Sequence, residues 1–408
     1  MVSNHNIYID MYKLCTYNRH YMRQIDKLVQ NHFSKQRLVL ELLGARQVGK
    51  TTLLKRIFPN AQYFLLDNEP VRKSFETFDQ FSYKQIFSNV SKTIILDEIH
   101  LLSNPGRATK IIFDQFPDKN LIITGSSALN IKNKTAESLA GRKIEYHLYP
   151  LTFAEYLEQT GGQTHRYNIA ETLITGVITF NPKTLLFDLR ASLERILTTG
   201  LYPYLIEHPQ DTDYLLNLSD SVIFKDILEL NLIENRRVAL DLLTLLAHQI
   251  GNLISYSELS RTLGMDSRTI RKYIEIFEQS YIIFRLYPFS KNARDEIGKS
   301  PKIYFHDVGL RNALINNFSS PFLRRDGGAI FENFIVSEFY KLNDYLKTGF
   351  DLNFWRTSQG SEVDLVLSRD NTFPIALEIK LFKGNTSRAF ANRYPNAKLE
   401  VVTSQNFY

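Results

Sequence analysis

The sequence predicts an α/β fold. A parallel sheet covered by helices comes first, then a helical segment, a winged helix-turn-helix and a smaller C-terminal α/β unit. Three observations predict it. Short apolar runs alternate with amphipathic stretches up to about residue 150, the apolar spacing turns helical from about 152 to 235, and strand-like runs return around one long helix after 300. Strands that alternate with helices pair in parallel and are buried on both faces.

In order, Leu38–Leu43 is a mostly apolar strand that leads into Gly44, and Lys50–Phe58 is an amphipathic helix. Tyr63–Leu66, Thr93–Leu96 and Leu121–Thr124 are further strands bounded by polar or turn residues, and Ile144–Leu148 is another before Pro150. Between Thr152 and Asn235 the spacing of Leu193–Ile196–Leu197 and Val222–Ile223–Ile227–Leu228 reads as a helical lid, broken at Gly161–Gly162 and Leu201–Pro203. Ala239–Ile250, Ser257–Leu263 and Ser267–Tyr281 are three helices, the second ended by Gly264, and Ile282–Tyr287 is a strand. That outline is a winged helix-turn-helix. The last unit combines a helix at Ile330–Lys341 with strands at Leu352–Trp355, Val363–Leu367 and Ile375–Ile379. The expected domains are therefore 1–150, 151–235, 236–300 and 301–408.

Composition narrows the class. Of 408 residues, 44% are hydrophobic and 23% charged, which excludes a disordered or collagen-like chain. The net charge of +6 is compatible with nucleic acid without requiring it. Cys15 is the single cysteine, so neither an intrachain disulfide nor a thiolate zinc cluster can form. No apolar run reaches about 18 residues and no signal segment is recognisable, so the expectation is a cytoplasmic protein with no membrane partner.

Gly44-Ala45-Arg46-Gln47-Val48-Gly49-Lys50-Thr51, with Thr52 following, fits the phosphate-binding pattern G-x-x-x-x-G-K-[ST] between a strand and a helix. Its glycines let successive N–H groups face phosphates. Lys50 reaches β- and γ-phosphate oxygens, and the Thr51 hydroxyl is a ligand for Mg²⁺. The expected cofactors are ATP and Mg²⁺. Strand Thr93–Leu96 runs into Asp97, expected to hold Mg²⁺ through its water shell, and Glu98, expected to polarise the attacking water. Leu121–Thr124 ends in Gly125-Ser126-Ser127; Ser126 either orients that water or caps the next helix.

In the helix-turn-helix, Arg268, Arg271 and Lys272 lie near the start of the second helix, where base or phosphate contacts are made. Residues 256–281 are one expected DNA contact, and packing between domains is the alternative role. In the last unit Asp364 and Glu378 are fourteen positions apart on two strands, and Glu378 and Lys380 point to the same side of theirs. Two carboxylates can hold Mg²⁺ while a lysine stabilises a phosphodiester transition state. Residues 360–380 are therefore a second expected DNA contact. His306 and Asp307 have no third ligand near them in sequence and read as a packed pair.

Gly44–Thr52, Leu-Asp-Glu-Ile-His at 96–100, Thr124–Ser127 and Ser138-Leu-Ala-Gly-Arg142 resemble a prokaryotic family of AAA+-type ATPases. Its fused C-terminal domain, of unassigned function, resembles PD-(D/E)xK nucleases. The likeness runs from about Tyr21 onward and departs at Ala45, where proline is expected. It implies a γ-phosphate-sensing role for Arg142, in cis or from a neighbouring subunit of a homo-oligomer; pairing with Glu137 or Glu145 is the other reading. It also implies a nuclease-like site made of Asp364, Glu378 and Lys380, with Glu332 as an extra helix acid and Val363 in place of the motif's proline.

The function expected is a Mg²⁺-dependent ATPase whose cycle moves the winged-helix and nuclease-like modules on nucleic acid. The alternative is a nucleotide-dependent switch or scaffold that uses an inactive nuclease-like domain for protein contacts.

Overall fold

The computed structural model describes residues 22–88, 90–125, 139–161, 167–178, 180, 189–221, 233, 235–290 and 300–408. Two short helices, α1 (Asp26–Gln30) and α2 (His32–Lys35), precede strand β1 (Val39–Leu43). Every residue of β1 is buried, as a central parallel strand requires. Helix α3 (Lys50–Ile57) follows, then β2 (Gln62–Leu65), α4 (Glu69–Phe75), α5 (Gln80–Phe87) and β3 (Thr93–Asp97). Helix α6 (Pro105–Gln115) begins at Asn104, whose side chain accepts from the Arg107 N–H, with Pro105 in the first turn where no N–H is needed. Strands β4 (Asn120–Gly125) and β5 (Lys143–His147) complete a five-stranded, all-parallel sheet in the order β2-β3-β4-β1-β5. Insertion of β4 between β3 and β1 brings three strand ends together beside the Gly44 loop.

The next segment is helical as expected: α7 (Phe153–Gln159), α8 (Asn168–Thr175), α9 (Leu189–Thr199), α10 (Tyr204–Glu207) and α11 (Thr212–Ser221). A capping box starts α7, with Thr152 and Glu155 each bonding the other's backbone N–H. The expected run Val222–Leu228 lies outside the described residues, as do Ser126, Ser127 and Ser138.

Helices α12 (Arg236–His248), α13 (Tyr256–Leu263) and α14 (Ser267–Gln279) are followed by β6 (Ile283–Pro288). Beyond it lie β7 (Lys302–Phe305), α15 (Val308–Leu314), α16 (Gly327–Leu346), β8 (Asp351–Arg356), β9 (Glu362–Ser368), β10 (Ile375–Lys380), α17 (Arg388–Arg393) and β11 (Lys398–Thr403). The second sheet has the order β11-β10-β9-β8-β6-β7. Strand β6 pairs antiparallel with β7 and parallel with β8, so the boundary drawn at 300/301 cuts through a continuous hydrogen-bonded sheet. The turn before α15 also binds the helical segment. Asp307 caps α15 through the Leu310 N–H and accepts from the Leu201 N–H at 2.7 Å, while the Asn312 amide donates to Leu197 and Thr198 carbonyls. Asp307 thus serves packing, and His306 is buried against Tyr149 with ring centroids 5.2 Å apart.

Candidate functional site: the phosphate loop cleft and a C-terminal acidic cluster

The Gly44–Thr52 loop leaves the carboxyl end of β1 and enters α3. Gly44 is required there: a Cβ would stand 2.1 Å from the Leu148 carbonyl oxygen, and its φ is +156°. Gln47 and Gly49 also have positive φ, which curls the loop toward the first turn of α3. Ala45 and Val48 are buried on the core side. Arg46, Gln47, Gly49 and Thr52 line a cleft of about 700 Å³ on the other side. Lys50 is buried, and its ammonium donates to the Gly44 and Ala45 carbonyls at 2.8 and 2.9 Å.

Asp97 ends β3 at the floor of this cleft and gathers four donors. Thr51 Oγ1 donates at 2.8 Å, the Glu98 N–H at 3.1 Å, and the Tyr63 and Thr124 hydroxyls make further close contacts. Tyr63 is carried in by β2, whose Leu65 pairs with Asp97, and Thr124 by β4. Burial, reinforced by Asp97, pushes the Tyr63 phenol well above its ordinary pKa, so it stays a donor. Glu98 adopts a left-handed backbone (φ 59°, ψ 47°), which costs a non-glycine residue on the order of 1 kcal/mol. That turn breaks the strand alternation and delivers its carboxylate to the cleft wall, 3.2 Å from His100 Nδ1. Lys55, stacked 4.5 Å above the Tyr63 ring, and Pro203 from the helical segment also line the cleft.

The residues present fit a nucleoside triphosphate with Mg²⁺: a backbone cradle at a helix start, a lysine inside it, and a hydroxyl–carboxylate pair below. Among the described residues no three His, Cys, Asp or Glu side chains are grouped to hold a metal by themselves.

Arg142 falls elsewhere. It immediately precedes β5, and its carbonyl accepts from the Val39 N–H at the amino end of β1, one strand length from the loop. Its side chain lies 3.3 Å from Asp114 on α6, not on Glu145. A cis role at this chain's own γ-phosphate is therefore corrected, because register places Arg142 at the amino ends of β1 and β5, the end of the sheet opposite the loop. Ser126 lies outside the described residues.

In the C-terminal unit the structure does assemble Asp364, Glu378 and Lys380. Lys380 Nζ is 2.7 Å from Asp364 and 3.3 Å from Glu378, and the Ile379 N–H donates to Asp364 at 2.7 Å. Burial, with Asp364 beside it, raises Glu378 to about 7. Burial opposes the charge on Lys380, but the two carboxylates outweigh it and hold the lysine protonated above its usual range. Glu332 on α16 faces the same cluster, yet it accepts from Tyr304 at 2.6 Å and from buried Lys302 at 3.2 Å. Lys302 also contacts Glu362 closely. Lys302 and Tyr304, both on β7, and Glu362 are the members that sequence reasoning missed. Alternation along Lys-Ile-Tyr was the available signal.

On the three-helix unit, Arg268, Arg271 and Lys272 are exposed on α14, and the Arg271 guanidinium lies 3.8 Å above the Tyr256 ring. In the first cleft Tyr63, Lys55 and His100 went unread, because only strand order brings Tyr63 to Asp97.

Residues 36–157 match a family model described as an AAA domain, and the parallel α/β fold with its loop matches a P-loop ATPase. Residues 190–320 and 327–406 match domains of unknown function, DUF8612 and DUF4143. The chain is 27% identical over 395 residues to the uncharacterized protein MJ1637 of Methanocaldococcus jannaschii, covering 90% of this chain and 79% of that one. It is 26% identical over 353 residues to Rv2008c of Mycobacterium tuberculosis, covering 84% and 70%. Among solved structures it is similar to the Walker-type ATPase PABY2304 of Pyrococcus abyssi, with a TM-score of 0.45 and 14% identity over 73% of this chain and 96% of that one. No helix among the described residues is long and apolar enough to cross a membrane.

Proposed function

We propose that this chain binds ATP with Mg²⁺ in the Gly44–Thr52 cleft and hydrolyses it. The observation that carries this reading is the convergence of Thr51, Asp97 and Glu98 on one cleft that opens at the mouth of the loop. Lys50 exchanges its loop carbonyls for β- and γ-phosphate oxygens, while backbone N–H groups at the start of α3 take the remaining charge. Thr51 would hold a Mg²⁺ ion directly and Asp97 would hold it through water, and the ion would supply charge neutralisation on the phosphates. Glu98 accepts a proton from water as the oxygen attacks the γ-phosphorus, and the bond to the ADP oxygen breaks. Thr124, and Ser126 beyond it, serve to place that water.

In this reading the cycle moves the C-terminal units on nucleic acid, with exposed Arg268, Arg271 and Lys272 and the Asp364–Glu378–Lys380 cluster as contacts, and Arg142 serves a neighbouring copy in a homo-oligomer. A specific observation favours the scaffold as second reading: Lys302, Tyr304 and Lys380 already occupy the carboxylates a nuclease would give to metal. Phosphate release with and without DNA separates the two, since DNA should stimulate turnover only in the first. Lys50→Ala should bring hydrolysis to background, and wild-type turnover in that variant would overturn the ATPase assignment.

A further inference from the structure

Arg23 stands outside the cleft lining and outside every motif described above. Its side chain is buried. One guanidinium nitrogen donates to the Val48 carbonyl at 2.9 Å and another to the Tyr149 carbonyl at 2.6 Å, while Nε lies 3.2 Å from Glu155. Burial works against its charge, but Glu155 and the Tyr345 hydroxyl outweigh it. Val48 belongs to the phosphate loop. A loop that turns N–H groups toward phosphates turns carbonyls the other way, and a buried carbonyl needs a donor.

The second observation is the segment 147–153, which runs between the loop and α16. Leu148 backs the loop at Gly44 and donates its N–H to Leu43. Alternate residues of the segment then meet α16. His147 Nδ1 lies 3.1 Å from Asp344, the Tyr149 N–H donates to the Tyr345 hydroxyl at 3.0 Å, Lys341 donates to the Leu151 carbonyl at 3.1 Å, and the Phe153 N–H donates to Glu338 at 2.8 Å. Residues 338, 341 and 345 recur at helical spacing, so one face of α16 holds this connecting segment.

We propose that Arg23 is a positioning residue for the phosphate loop, and that through Arg23 and Tyr149 the loop's affinity for a nucleoside triphosphate depends on the docking of α16 at Tyr345. The inference rests on the reading of the cleft as an ATP site. Arg23 touches no reacting group; it fixes the carbonyl side of a loop whose N–H side holds phosphate. The C-terminal unit and the nucleotide are then linked reciprocally, since whatever α16 does to ATP affinity ATP does to α16.

The test measures Mg-ATP affinity by displacement of a fluorescent nucleotide from the full chain, together with kcat at saturating ATP. The variants are Arg23→Lys, Arg23→Gln, Tyr345→Phe and the Arg23→Gln/Tyr345→Phe double. Loss of a charge-assisted bond to the loop should raise Kd about tenfold in Arg23→Gln, with partial recovery in Arg23→Lys. Tyr345→Phe, remote from the cleft, should raise Kd about threefold, and the double variant should be no weaker than Arg23→Gln alone. Turnover at saturation should stay within about twofold, because Asp97 and Glu98 are untouched. Unchanged affinity in Arg23→Gln, or effects that multiply in the double, would overturn the proposal. If Arg23→Gln does not fold, Arg23→Lys and Tyr345→Phe decide it: wild-type affinity in both overturns it, and weakened affinity in both at wild-type melting temperature supports it. A wild-type chain that binds no ATP defeats the functional reading itself. ATP binding that needs Lys50 but ignores Arg23 and Tyr345 defeats only this inference.

Discussion

The Thr51 hydroxyl donates to the Asp97 carboxylate across 2.8 Å, joining the first turn of α3 to the end of β3, which lies two strands away from β1. In the proposed function Thr51 is the cation ligand and Asp97 its water-shell partner, and this hydrogen bond holds the two in register. Glu98, one residue on, reaches the same cleft only because its backbone turns left-handed there. The metal-holding and water-polarising duties proposed above for Asp97 and Glu98 would fall on neighbouring carboxylates with separate environments, which makes them separable by mutation.

Glu98→Gln keeps the shape of the side chain and removes the group that accepts a proton. ATP affinity should stay near wild type while turnover falls about 10²-fold or more. Equilibrium binding and single-turnover hydrolysis check the two halves. An unchanged rate would assign the water to another residue.

His147 joins the two units and titrates within an accessible range. Burial opposes its charge, but Asp344 and Glu145 raise its pKa from 6.5 to about 9, with the Tyr149 and Tyr281 rings packed beside it. The folded protein therefore holds this proton more tightly than the unfolded chain. The resulting stability is fully present below about pH 6.5 and is lost as pH rises through about 9. Wild type should lose about 3 °C more of its melting temperature between pH 7 and 10 than His147→Gln. Parallel curves for the two proteins would show that the imidazolium contributes nothing.

Asp364 and Glu378 repel one another, with Lys380 as a partial shield. If they accept a divalent cation, Mn²⁺ or Mg²⁺ at pH 8 should raise the melting temperature of the Lys50→Ala chain, increasingly as metal exceeds its Kd. Asp364→Asn in that background should abolish the rise. The intact chain is needed, because a segment beginning at 301 would lack β6 from the interior of the sheet. Equal rises in both proteins would place the metal elsewhere and favour the scaffold reading.

The sequence by itself determined the phosphate loop, the Asp97–Glu98 pair and most elements of the first sheet. The loop is nine consecutive residues whose backbone makes the cradle, and the acids end a strand visible from its apolar run, so short-range chemistry suffices. Glu378 and Lys380 were legible for the same reason, since alternation along one strand puts them on one side. Strand order and register decided the rest. Only the adjacency of β2 and β3 brings Tyr63 to Asp97, and only the register of β5 against β1 sets Arg142 at the amino end of the sheet, away from the loop. Lys302, Glu332 and Glu362 meet from three separate elements, and Arg23 reaches Val48 and Tyr149 across 25 and 126 positions. Such contacts carry no periodic signal along the chain. They exist because a buried charge must find partners wherever packing brings them, and packing is a property of the whole fold.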